Sequence, residues 1–214
     1  MLHEDNSPVA NRPAGVNPQD WLEFGQKFHG HKCPAMPMGL RAGAAAMNAL
    51  GVERAKDGQI FAIVDLGDNH CATCYADGLQ VIMGTTLGKG NIKKTFKGKW
   101  AVTLVDKASG KAVRVTPKAE TMLQNKQSAF FKDYREKGIP ASKVPAVVVD
   151  PLIVNVMAAP EEKLLNVSKI FNYKLDLQVD NFNGFVCEEC GEMTVESYGR
   201  IKNGIHVCMD CAGN

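Results

Sequence analysis

Apolar side chains recur along this chain with two periods, and the points where the period changes mark its elements. Asn17-Pro18-Gln19-Asp20 opens a helix, with Asn17 as cap, Pro18 at the first helical position and Asp20 at the positive end. Trp21, Phe24 and Phe28 continue it as an apolar stripe at helical spacing. A second helix is predicted from Met36 to Leu50, ended by Gly51. Its Gly39, Gly43 and alanine run give it a small-residue face, suited to close approach by a neighbouring helix or a second copy of the chain. Gln59 to Leu66 reads as a strand, and about Cys71 to Met83 as a largely buried helix. Ile92–Phe96, Trp100–Asp106 and Lys111–Thr116 read as an antiparallel meander, turned at Gly98 and at Ala108-Ser109-Gly110. Pro117 begins a long helix to about Lys137, closed by Gly138. Residues 139–159 fit strand and buried helix equally, because Val147-Val148-Val149 satisfies both patterns. A short helix from Pro160 to about Asn166, a strand over Val167–Val179 and a linker at Asp180–Gly184 follow.

These elements add up to an α+β fold, an antiparallel sheet packed with helices, followed by a small C-terminal module. The expected organisation is an arm over 1–16, a main domain over 17–180 and the module over 185–214. Composition changes this picture little: 45% of residues are hydrophobic and 22% charged, and the net charge of +2 offers nucleic acid no bulk attraction. The N-terminal Met1-Leu2-His3-Glu4-Asp5 is acidic with no apolar run behind it, so no signal peptide is expected. The most apolar stretch, Val144 to Ala159, is interrupted by Asp150, Pro151 and Asn155, which argues against a membrane span. A cytoplasmic location is expected.

Cysteine and histidine carry the chemistry. There are 7 Cys, an odd number, arranged as CxxC pairs and one single, which is metal or redox usage in a reducing compartment. Phe28-His29-Gly30-His31-Lys32-Cys33-Pro34 puts two imidazoles and a thiol within five residues. His70-Cys71-Ala72-Thr73-Cys74-Tyr75-Ala76-Asp77 forms a second donor patch. Nitrogen and sulfur donors suit zinc and the softer transition metals, so the two patches read as halves of one site. His29, His31, Cys33, Cys71 and Cys74 are its candidate ligands. Cys33, Cys74, His31 and Asp77 are its candidate catalytic groups, with Asp77 and Gln80 orienting ligands. Three protein ligands would leave a position for water or substrate, and four would imply a structural or electron-transfer role. The bland alternative is two unrelated patches of buried thiols. Gly84-Thr85-Thr86-Leu87-Gly88-Lys89-Gly90-Asn91 could be a plain turn or an anion-binding loop built on Gly88, Lys89 and Gly90.

At the C-terminus, Cys187-Glu188-Glu189-Cys190 and Cys208-Met209-Asp210-Cys211 are separated by residues 191–207, a four-cysteine zinc spacing. Cys187, Cys190, Cys208 and Cys211 would close a tetrahedral structural zinc in a zinc-ribbon or treble-clef-like module. An iron cluster or a redox pair is the other use of such thiols. With Arg200 and Lys202 against several acids, the module is a poor nucleic-acid binder.

The chain resembles the FmdE family, the FmdE component of formylmethanofuran dehydrogenase and its stand-alone relatives. Four stretches carry the resemblance: Phe28–Pro34, Cys74–Gln80, Gly84–Asn91 and Ser109–Val115. The resemblance spans roughly residues 20–165, and some relatives also carry a C-terminal zinc module. Ala35 stands where the family usually has glycine, Thr85 where many relatives have cysteine, and Cys71 is extra. The resemblance implies a second metal of unnamed identity and an accessory or catalytic role beside molybdenum- or tungsten-dependent C1 oxidoreduction. It also implies a link to molybdopterin, with molybdenum or tungsten enzyme subunits as partners. A homodimer through the Gly39/Gly43 face is expected. The competing functions are thiol redox chemistry at Cys71 and Cys74, with Cys33 as a further partner, and a regulatory or protein-binding metalloprotein.

Overall fold

The computed structural model describes residues 15–68, 73–176 and 183–213. It divides into two compact units, the first ending at Lys174 and the second beginning at Leu175.

In the first unit, Asn17 caps a short 3-10 turn (Pro18–Trp21), its side chain accepting the Gln19 N–H at 3.1 Å. The turn leads into α1 (Leu22–His29). α2 (Ala35–Leu50) is the central helix, buried from Ala35 through Met47. It packs on α3 (Cys74–Met83) on one side and on the sheet on the other. The glycines decide how close α2 and α3 come. A Cβ on Gly39 would lie 2.1 Å from Tyr75 O, and one on Gly78 would lie 2.1 Å from Met36 O. The small-residue face is therefore covered within the chain by α3, and a dimer would have to use another surface.

The sheet consists of β1 (Ile60–Val64), β2 (Ile92–Lys94), β3 (Val102–Asp106), β4 (Lys111–Pro117), β5 (Leu165–Val167) and β6 (Phe171–Asn172). Its order is β2-β1-β3-β4-β5, with β6 also on β4. The β3–β4 hairpin agrees with the hydrophobic pattern, and β1 and β3 are antiparallel. The predicted meander fails at β2, which pairs parallel to β1 instead of beside β3. The reason is the helix between them: a strand that returns after a crossover helix runs parallel to the first. The sheet is otherwise antiparallel, and α2 lays Met36, Leu40 and Met47 into one core with Leu104, Val113 and Val115. β1 is buried along its whole length, so its sequence shows a continuous apolar run instead of alternation.

Three further segments differ from the sequence pattern. The long helix expected from Pro117 is broken: α4 spans Ala119–Lys126 and a π turn spans Phe130–Arg135. Between them, Ser128 Oγ donates to Asn125 O at 2.6 Å, a side-chain bond that competes with the helical ladder. Residues 139–159 resolve as a 3-10 turn (Ala141–Lys143) and a helix, α5 (Ala146–Ala158), followed by α6 (Glu161–Leu164). The Arg41 guanidinium, buried in the core, donates to Val156 O, Met157 O and Ala159 O at 2.6–2.9 Å and so holds the C-terminal end of α5. The strand expected over 167–179 is split into β5 and β6, because Ser168 Oγ takes the Arg114 N–H that strand pairing would use. Residues 173–176 form no strand, and residues 177–179, with most of the expected linker, lie outside the described residues.

Asp65, directly after β1, has a nearly buried carboxylate. It accepts from Thr95 Oγ1 at 2.6 Å and pairs with Arg114 at 2.7 Å and Lys97 at 3.4 Å. Burial pushes its pKa up, but the Thr95 and Arg114 bonds outweigh this and hold it below the ordinary 3.8. Asp65 therefore stabilises the fold fully above about pH 5, and that contribution is lost as pH falls through its lowered pKa. Asp65→Asn should cost about 2 kcal/mol at pH 7, less than a fully buried pair because Arg114 is partly exposed. Urea melts at pH 7 and pH 3 should show the difference between variant and wild type shrinking at the lower pH. An equal difference at both would assign the effect to packing.

The second unit holds two hairpins, β7 (Gly184–Val186) with β8 (Met193–Val195) and β9 (Gly199–Lys202) with β10 (Ile205–Cys208), then α7 (Met209–Ala212). Among the described residues, no helix of either unit is long and apolar enough to cross a membrane.

Candidate metal centre

One helix end and two helix starts build the site in the first unit. α1 ends at His29, and Gly30 takes the left-handed conformation there (φ 82°), its N–H bonded to Gln26 O. The chain reverses, so His31 is brought back against His29 despite following it by only two residues. Their ring centroids are 4.0 Å apart and their Nε2 atoms 3.1 Å apart. Cys33 lies just before α2, where the Ala35 and Met36 N–H groups face its sulfur. α3 begins at Cys74 and carries Asp77 one turn further on.

The ligand atoms of His29, His31, Cys33 and Cys74 all lie within 4.8 Å of one another. Tetrahedral zinc, with Zn–N and Zn–S bonds of about 2.05 and 2.3 Å, would separate two nitrogens by about 3.4 Å and a nitrogen and a sulfur by about 3.6 Å. The observed His29–His31 separation is 3.1 Å, and Cys33 Sγ lies 3.5 Å from His29 Nε2. The donor set therefore fits a tetrahedral ion of this size. Asp77 does not join it directly. Its Oδ2 lies 2.7 Å from His29 Nδ1, which leaves Nε2 facing the cluster, the arrangement by which a carboxylate orients a metal-binding imidazole. Gln80 Nε2 in turn donates to Asp77 Oδ1 at 3.4 Å. Cys71 lies outside the described residues.

The charges of this cluster depend on one another. Burial works against a charged His29 ring, yet bonds and charge from Asp77 and Cys74 raise its pKa to about 9. His31 is lowered by burial and by the neighbouring His29 charge. The Cys74 hydrogen bond, with help from the α2 N–H groups, lowers Cys33 against the effect of burial. Cys74, sharing that bond and also desolvated, is pushed up to about 12. The first thiolate therefore forms at Cys33, and a metal binding all four groups must displace protons from His29 and Cys74.

The Gly84–Asn91 loop is held by internal bonds. Lys89 Nζ donates to Gly84 O at 2.9 Å and Ala55 O at 3.1 Å, while Gly88 and Gly90 have open space around them. The structure does not bring these three residues into the His/Cys cluster, and the lysine ammonium ties the loop to residue 55.

What the sequence did not reveal is a cavity of about 800 Å³ reached by three of the four donors, His31, Cys33 and Cys74. Its walls include Trp100, Met122, Leu123, Phe130, Phe131 and Arg135. Phe131 and Arg135 are four residues apart, a spacing any amphipathic helix shows, so no sequence signal marked them.

In the second unit, Cys187, Cys190, Cys208 and Cys211 converge in the same way, within 4.8 Å. Cys190 and Cys208 sulfurs are 3.9 Å apart, against about 3.8 Å for two thiolates on tetrahedral zinc. Gly191 turns the first knuckle with φ 77°, its N–H on Cys187 O. The second pair lies at the end of β10 and in α7, the treble-clef-like of the two expected forms. Backbone N–H groups of Cys190, Cys208 and Glu189 lower the Cys187 thiol to about 6 against the effect of burial, so a thiolate is ready for metal at neutral pH. His206 stacks on Phe185 at 3.5 Å and stands outside the donor set.

The fold and these two clusters define an α+β protein with two groups of His and Cys donors that could each hold a metal ion. Residues 28–166 match the family described as "FmdE, Molybdenum formylmethanofuran dehydrogenase operon", and the chain belongs to that family. It is 32% identical to a protein of Archaeoglobus fulgidus named "Probable S-adenosyl-L-methionine-binding protein", over 93% of this chain and 55% of the relative. The chain thus spans about half the length of that curated relative. Its fold is similar to the crystal structure of a protein from Syntrophus aciditrophicus described as FmdE-like, after tungsten formylmethanofuran dehydrogenase. The TM-score is 0.60, with 20% identity and 92% of each chain covered.

Proposed function

We propose that this FmdE-family protein binds zinc or a redox-active metal at His29, His31, Cys33 and Cys74, and a structural zinc in its terminal module. The first centre acts as an accessory or catalytic component of molybdenum- or tungsten-dependent C1 oxidoreduction. The observation that carries this reading is that three of the four donors of the first cluster line a cavity. A purely structural metal needs no such access, whereas a metal that meets substrate does. Bound there, the metal would supply Lewis acidity or electron transfer. The chain itself supplies the Asp77 carboxylate that orients His29 and the buried Cys33 thiolate.

Metal analysis of the purified chain tests the assignment. Wild type should hold two metals, and Cys33→Ala and Cys74→Ala should each hold one. Asp77→Asn should keep the site but bind its metal about 10–100-fold more weakly in a chelator competition. Full metal content in both cysteine variants would show that these are buried thiols. A second reading, dithiol redox chemistry, draws support from the bond between Cys33 and Cys74. It requires Cys33 and Cys74, free of metal, to form a disulfide by passing two electrons and two protons to an added disulfide oxidant, and thiol counting after that treatment separates the two.

A further inference from the structure

The cavity beside the first cluster is larger than a water site and different in character from the cluster. Its walls are mainly apolar and aromatic: Met38, Trp100, Met122, Leu123, Phe130 and Phe131. Leu123, 61% exposed, adds apolar surface beside the aromatic side chains of the lining. The π turn carries Phe130, Phe131 and Arg135 to the lining together, and π segments recur at functional sites. Charge is one-sided. Lys126 and Arg135 line the cavity, and its described lining includes no Asp or Glu. Arg135 is held in place by its Nη1 bond to Ile139 O at 2.6 Å, so its guanidinium is positioned in advance.

We infer that this cavity binds a small organic anion with an aromatic or extended apolar body. The body lies among the aromatic and methionine side chains, and the anionic group meets Arg135 and Lys126. A cavity of about 800 Å³ matches a cofactor- or metabolite-sized molecule. A planar guanidinium suits a carboxylate or phosphate, and two cations without a counter-carboxylate leave a charge for the ligand to neutralise. Aromatic faces favour a flat body over a sugar or a simple inorganic ion. The inference deepens the proposed function, on which it rests for the metal at the cavity floor.

The test uses two probes of the same ring body on the zinc-loaded full chain. 8-Anilinonaphthalene-1-sulfonate carries an anion, and N-phenyl-1-naphthylamine does not. The sulfonate should bind once per chain and more tightly than the neutral dye. Arg135→Met and Lys126→Met should each weaken the sulfonate by about tenfold, the scale of one charge-assisted hydrogen bond, and leave the neutral dye nearly unchanged. Ala119→Trp, on an exposed position of the lining, should block both dyes. Equal affinity for the two dyes, equal weakening of both by the charge variants, or sulfonate binding that survives Ala119→Trp would each overturn the inference. Zinc content is measured in parallel. Dye excluded from a chain with both metals present sinks the cavity inference and leaves the metal reading standing. Dye bound with the charge preference in a chain that takes no metal at the first cluster does the reverse.

Discussion

Cys190→Ser unfolds the terminal unit and leaves the first unit folded. This is the largest effect expected of any single change in the chain. Among the described residues of the second unit, the fully buried side chains are Cys187 and Val207, far too little apolar core to support a fold. Its hairpins leave Met193 and Ile201 more than 70% exposed. The folding free energy must then come from the metal, and four thiolates on zinc supply about 10 kcal/mol or more. Replacing one sulfur by a hydroxyl removes most of it. Limited proteolysis should cut the variant between about residues 180 and 213, with a protected fragment corresponding to the first unit. Zinc content should fall by one per chain. Protease resistance equal to wild type in that segment would show that the module folds without its metal.

Gly78→Ala should be the most damaging single-atom change in the first unit. The added Cβ would lie 2.1 Å from Met36 O, 2.7 Å from Leu40 N and 2.9 Å from Gly39 Cα. All three are backbone atoms of α2, so no side chain can swing aside. α2 and α3 must separate instead, at a cost of about 3 kcal/mol, the upper end for overpacking. That corresponds to a fall of about 10 °C in the melting temperature of this unit. The same displacement reaches the metal site, because Cys33 precedes α2 while Cys74 and Asp77 ride on α3. The variant should therefore also lose metal from the first cluster. Gly88→Ala is the control: nothing lies near its Cβ and its backbone is not left-handed, so both stability and metal content should hold. A Gly78→Ala melt within about 2 °C of wild type would mean the helices are less tightly apposed than the distances show.

The sequence by itself determined the local features. Asn17 and Pro18 start the first helical turn, Gly30 and Gly51 end α1 and α2, and the strands at 60–64, 102–106 and 111–117 are marked by their short runs of apolar and β-branched residues. The four terminal cysteines are legible because a CxxC pair places two sulfurs on one knuckle by local geometry alone. The FmdE motifs point to the family for the same reason, as short stretches of fixed residue type.

Only the tertiary structure decided the pairings. Hydrophobic period says that a segment is a strand but not which edge it joins; adjacency in sequence and the turn at Gly98 set β2 beside β3, whereas the α3 crossover puts it parallel to β1. The small-residue face of α2 is visible in the sequence, but whether it meets another chain or α3 depends on Gly78, nearly forty residues away. At the site, the sequence leaves open whether His29 or His31 faces the cluster. The left-handed Gly30 turn brings both in, and Asp77, on another helix, fixes the first of them. Lys89 reads as an anion ligand while its loop looks open, and its two carbonyl partners appear only once Ala55 is folded against it. The cavity wall is hidden for the same reason. Phe131 and Arg135 share a face in any helix, but that this face lines a cavity with Trp100, Cys33 and Cys74 depends on the fold, and nothing in a linear period records that.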